Sequence, residues 1–113
     1  MSPIANALAV VAVFAASAAA NSGQMTWYDP GLGACGSINS ADQAVVALNI
    51  ADYADGAHCG QWITIQGNGK QTAGMVVHHC PTCGSGGVDA SRATFDDIAP
   101  LDHGVVDINW FFQ

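Results

Sequence analysis

Apolar and polar side chains alternate over Gln24–Tyr28, with Met25 and Trp27 on one face and Thr26 and Tyr28 on the other. A period of two predicts a half-buried opening strand. Asp29-Pro-Gly31 breaks it, because proline cannot donate to a ladder and the tripeptide favours a turn. A glycine-rich loop follows over Gly31–Ser40. Val45–Leu48 is a continuous apolar run, read as a short buried strand. Asn49–Gly56 reads as a turn or a single helical turn. Alternation returns over Gln61–Gln66, where Trp62 and Thr64 oppose Ile63 and Ile65, and a further strand is expected over Met75–His79. Between them, Gly67-Asn-Gly-Lys70 is a hairpin signal, since Asn-Gly tolerates the positive φ of a tight turn. Ser91–Ala99 is the best helix: Ser91 can cap it, Phe95, Ile98 and Ala99 share a face, and Pro100 stops it. Val105–Phe112 forms a last strand. About six short strands with one short helix predict an all-β domain closed into a small barrel.

The first twenty residues change the picture of the chain's destination. They carry no charged side chain, and the small apolar run Ala7–Ala20 ends in Ala18-Ala-Ala20. Such a segment is too short to span a bilayer and reads as a secretory signal peptide over 1–20, leaving 21–113 as one secreted domain. Only the α-amino group supplies the usual positive charge ahead of it. The 113 residues hold 2 Lys+Arg against 9 Asp+Glu, a formal charge of −7. Nucleic acid and anionic membranes need clustered Lys and Arg, so neither is an expected partner. Every acidic residue is Asp, which with glycine favours turns over helices.

Four cysteines in a small secreted domain read as two disulfides, with three connectivities open. His78, His79, Cys80 and Cys83 also match a zinc pattern, but a secreted chain more often oxidises such a pair, and no metal is expected. Gly84-Ser-Gly-Gly87 lacks the strand–loop–helix context of a dinucleotide site, and no cofactor is expected.

Seven motifs stand in order: Met25-Thr-Trp-Tyr28, Ala34-Cys-Gly36, Ala47-Leu-Asn-Ile-Ala-Asp-Tyr53, Cys59-Gly-Gln-Trp-Ile63, Val76-Val-His-His-Cys80, Val88-Asp-Ala-Ser91 with Phe95, and Gly104-Val-Val-Asp-Ile-Asn-Trp110. Together they resemble the six-stranded double-psi β-barrel of expansins and of their single-domain fungal relatives, the loosenins, over roughly residues 24–112. The resemblance implies a barrel with one or two short helices. It also implies a Cys35–Cys59 disulfide, which leaves Cys80 with Cys83. The same fold serves barwin-like defence proteins, endoglucanases, lytic transglycosylases, papain inhibitors and proteins described as riboflavin-aldehyde-forming, so fold alone leaves function open.

In this family an Asp just before the helix serine lies in the polysaccharide groove and is required for activity; in hydrolytic relatives it is the general acid. That position is Asp89. A carboxyl in a partly apolar groove can keep a proton to donate; the plainer alternative is that Asp89 only favours the N-terminus of the Ser91 helix. Thr26 and Tyr28 match the family's first-strand groove residues. Hydrolysis by inversion needs a second carboxylate about 6.5–9.5 Å from the first. Where hydrolytic relatives place it, this chain has Pro30, and the neighbouring Asp29 would face the other way on a regular strand. His78 stands where most relatives have Asp, and can bind a sugar hydroxyl or become cationic below about pH 6.5. On a regular strand His79 faces away from it. Trp27, Trp62, Trp110 and Tyr53 can offer flat faces to sugars, although most tryptophans fill cores. The expected groove set is therefore Asp89 with Thr26, Tyr28, Asp29, His78 and Trp110.

The first expectation is a secreted, monomeric, loosenin-like protein that binds cellulose, another β-glucan or chitin and loosens it without cutting bonds. The alternative is an inhibitor of papain-like proteases or an effector-type binding module acting through loops such as Pro30–Ser37 or Thr82–Gly87. A glycoside hydrolase or lytic transglycosylase is a third reading, separable by release of reducing ends.

Overall fold

The computed structural model describes residues 20–113. The expected signal segment lies outside the described residues except for Ala20. Six strands, β1 (Asn21–Trp27), β2 (Val45–Asn49), β3 (Trp62–Gly67), β4 (Lys70–Cys80), β5 (Val88–Ala90) and β6 (Val106–Phe112), close into a barrel in the order β1-β5-β2-β4-β3-β6. The β1–β5 and β2–β4 pairs are parallel and the rest antiparallel.

The inward positions form one core. Met25, Val46, Leu48, Ile63, Ile65, Val76, Val88, Ala90, Ile108 and Trp110 come from all six strands, and Phe95, Ile98 and Ala99 cover one end. Alternation along each strand sends the intervening residues to the outer face. Trp110 belongs to this core: it is 0% exposed, and its indole N–H donates to the Gly86 carbonyl at 2.9 Å. The expectation that Trp110 offers a face to a sugar is thereby corrected. Its polar edge is spent on backbone and its rings have no free surface.

Two glycines allow the β5 approach to close against β1. Gly86 has φ 70°, and a Cβ there would lie 2.0 Å from the Ser22 carbonyl oxygen; a Cβ on Gly23 would lie 2.3 Å from the Gly86 oxygen. Only glycine permits backbones to run this close.

Strand boundaries differ from the sequence reading where long-range pairing decides them. β1 starts at Asn21 because Asn21–Met25 pairs with β6. β4 reaches back to Lys70, at the predicted hairpin, through its pairing with β3. β5 is only three residues long and carries no readable period. The first short helix, α1 (Ile50–Tyr53), is capped by Asn49, whose side chain accepts from the Asp52 amide. The second, α2 (Arg92–Asp96), is capped by Ser91 as expected but ends earlier, and a 3-10 turn over Leu101–His103 follows Pro100. Among the described residues no helix is long and apolar enough to cross a membrane.

Candidate functional site

Three register pairings place a row of four side chains across the outer face of the barrel. Thr26 on β1 pairs with Asp89 on β5, Asp89 with Ala47 on β2, and Ala47 with His78 on β4. Neighbouring strands lie about 4.8 Å apart, so the backbones at Asp89 and His78 are about 10 Å apart with only the Ala47 methyl between them.

His78 reaches this row through a β-bulge. Val45 and Val46 pair with Met75 and Val76, but Ala47 then pairs with His78, leaving Val77 as an extra residue. Val76 faces the core, so without the bulge Val77 would stand opposite Ala47 and His78 would turn inward. The His78 and His79 rings nevertheless lie 5.0 Å apart, closer than the expected opposition of the two side chains implies. His79 in turn packs edge-on against Tyr53 at 5.1 Å.

Asp89 is half-buried, and Thr26 Oγ1 donates to its Oδ1 at 2.9 Å. Burial pushes the Asp89 carboxyl above the ordinary carboxylate range, opposed by the Thr26 hydrogen bond and by His78. Burial and then the Asp89 charge push the Tyr28 hydroxyl up to about 12, so it stays a proton donor. The Tyr28 ring lies 6.3 Å from that of His78. Burial, followed by repulsion from His79, lowers the His78 pKa below its usual 6.5, with Asp89 acting the other way. Neutral His78 accepts at Nδ1 from the Ala34 amide at 2.8 Å. A groove of about 280 Å³ adjoins Asp89 and Thr26 and is walled by Gln24, Thr82, Ser85 and the Cys80–Cys83 turn. That volume is near the lower end of ligand clefts, about 300–1,000 Å³.

Thr26 and Asp89 are thus hydrogen-bonded to each other, with Tyr28 and His78 beside them. Asp29 does not join them. Its carboxylate receives the Arg92 Nε and Nη2 groups at 2.7 and 2.8 Å, which holds it below the usual carboxylate range. The Arg92 guanidinium also lies over the Trp27 ring, 5.1 Å from its centroid, and the Trp27 indole donates to the Leu101 carbonyl at 2.8 Å. The expectation of Asp29 as a groove residue is corrected: its oxygens are committed to Arg92 on α2. Among the described residues lining the groove, Asp89 is the one carboxylate. Sequence reasoning missed Ala47 and the Gln24, Thr82 and Ser85 walls. The Ala47-Leu-Asn motif marked the strand, but only the pairing reveals what the small side chain separates.

Disulfides join Cys35 to Cys59 and Cys80 to Cys83. The second takes up both thiols of the zinc pattern. The first pins the Gly31–Asn39 loop, whose Cys35 amide also donates to the Val77 carbonyl at 3.1 Å.

No family model matches the sequence. The papain inhibitor of Streptomyces mobaraensis is 37% identical over 99 residues, spanning 80% of this chain and 69% of that protein. A solved Streptomyces papain inhibitor superposes with a TM-score of 0.73 at 35% identity, covering 82% of this chain and 93% of the inhibitor. An allergen of Aspergillus fumigatus is 36% identical over 98 residues, 80% of this chain but only 36% of its own length. The expansin of Clavibacter michiganensis superposes with a TM-score of 0.77 at 23% identity, over 83% of this chain and 50% of the expansin, and a mutant of it is solved in complex with cellohexaose. At that identity the expansin likeness shows the shared fold. The chain belongs to the expansin-like double-psi β-barrel family that includes the Streptomyces papain inhibitor.

Proposed function

We propose that this is a secreted, expansin-like protein that binds a cell-wall glucan or chitin chain along the Thr26–Asp89–Ala47–His78 row and loosens its packing without hydrolysis. The observation that carries this reading is a groove with a single half-buried carboxyl, Asp89, held by Thr26 and raised in pKa. Such a group can accept from sugar hydroxyls when ionised and donate when protonated, which lets it compete for hydrogen bonds between packed chains. Inverting hydrolysis needs a second carboxylate poised on water, and the Arg92 pairing of Asp29 argues against that role. Two disulfides and the leader-like 1–20 segment support secretion. Capture of a mutant Clavibacter expansin with cellohexaose supports an oligosaccharide as the kind of ligand this fold accepts. The test is sedimentation with insoluble cellulose and chitin. Wild type should partition to one of them, and Asp89→Asn or Ala47→Leu should weaken the partition.

A second reading, inhibition of a papain-like protease, is supported by the 37% identity to a papain inhibitor across most of this chain. On that reading a loop, rather than the Asp89 row, makes the contact.

A further inference from the structure

The most exposed large apolar side chains of the described residues are Leu32, 71% exposed, and Ile38, 78% exposed. They stand opposite each other as partners of an isolated antiparallel bridge. The loop between them is built as a miniature hairpin. Gly33 donates to the Ser37 carbonyl at 3.0 Å, Gly36 to Gly33 at 2.9 Å, and Asn39 to Gly31 at 3.0 Å.

This hairpin is fastened to the barrel at three points. Cys35 is disulfide-bonded to Cys59, its amide donates to the Val77 carbonyl, and the Ala34 amide donates to His78. Gly33 lies so close to β4 that a Cβ would meet the Val77 oxygen at 2.3 Å. The whole stretch from Pro30 to Ala41 carries no charge, although the chain's formal charge is −7. Two bare aliphatic side chains on a rigid, neutral, disulfide-anchored loop are costly to leave in water unless a partner covers them. They also lose little entropy on docking, because the loop is already ordered.

We propose that the Gly31–Asn39 hairpin is the protease-binding edge of this protein, seating Leu32 and Ile38 in apolar subsites of the substrate cleft of a papain-like cysteine protease. This rests on the second reading above, and it selects that hairpin over the Thr82–Gly87 loop, whose Thr82 and Ser85 face the groove beside Asp89. The identity of the partner follows from the papain-inhibitor relative, whose similarity spans 80% of this chain. No bond is made or broken: the loop occupies the cleft and excludes substrate.

The experiment measures the inhibition constant for papain on a fluorogenic dipeptide substrate. Wild type, Leu32→Asp with Ile38→Asp, and Ser85→Asp are compared. The double variant should raise the constant on the order of 30-fold, as loss of a central apolar anchor does, while Ser85→Asp should change it little. Hydrogen exchange on unmutated protein provides an arm that does not depend on variant folding: papain should slow exchange at Gly33, Gly36 and Asn39. Inhibition that persists in the double variant, or protection that falls on Thr82–Gly87 instead, overturns the assignment of the hairpin and leaves protease binding standing. Wild type that fails to inhibit papain overturns both.

Discussion

Thr26 Oγ1 donates to Asp89 Oδ1 at 2.9 Å, across a parallel pairing of two strands that are 63 residues apart in the chain. The pairing fixes the carboxyl at the edge of the groove, and partial burial makes its ionised form costly. Because the folded protein holds this proton more tightly than the unfolded chain, the stability it contributes is complete in acid and is lost as pH rises through the raised value. Asp89→Asn removes that penalty while keeping an oxygen for Thr26 to donate to. The variant should therefore melt at or above the wild-type temperature at pH 7, with the difference closing towards pH 3. Thermal unfolding by circular dichroism at both pH values checks this, and a large loss at pH 7 would mean that Asp89 is structural.

The His78 latch should respond to pH in the opposite sense. His78 binds its proton less readily when folded, so its contribution to stability is present above pH 6.5 and is lost as pH falls through the lowered value. Protonation also converts Nδ1 from acceptor to donor, which breaks the hydrogen bond from Ala34. His79, Asp89 and Tyr28 are the ionisable groups around it. In an NMR titration the Ala34 amide should shift with a midpoint below 6.5, together with the His78 ring. In His78→Leu the amide should no longer follow pH in this range.

How far the site was readable in the sequence follows from which contacts are local. Alternation placed Met25 inward and Thr26 outward, and Ser91 announced the start of α2, because these depend on neighbouring residues. The Val77 bulge, which aims His78 into the row, depends on β2 lying beside β4. β5 is too short for a period, so the strand that carries Asp89 emerges only from its two partners. Asp29 was misplaced because its partner, Arg92, is 63 residues away. The sequence motif around Trp110 could not distinguish a sugar-stacking ring from one whose indole reaches the Gly86 carbonyl.

The two tryptophans at opposite extremes of exposure should separate packing from binding. Trp110→Ala empties a fully buried site and leaves Gly86 without its donor, and should cost about 3–5 kcal/mol. Trp62 is 43% exposed, and truncating it should cost far less. Urea unfolding of the two variants makes the comparison; similar losses would contradict the core placement of Trp110.

The Cys35–Cys59 disulfide closes a separation of 24 residues. On the chain-entropy argument its removal by paired serine substitution should cost about 3 kcal/mol. It should also speed proteolysis within Gly31–Asn39, which the bridge holds to the barrel. Removing Cys80–Cys83, a separation of 3, should cost much less on the same argument. Denaturant midpoints of the two double variants, read beside the cleavage rate of the loop, test the ranking.

On the proposed function, a groove with one working carboxyl loosens polysaccharide without cutting it. The direct measurement incubates the protein, disulfides intact, with cellulose fibres and records tensile weakening alongside soluble reducing ends, for wild type and Asp89→Asn. Wild type should weaken the fibres with no reducing ends above the blank, and Asp89→Asn should lose the weakening. Fibres weakened equally by Asp89→Asn, or reducing ends released in step with weakening, would contradict it.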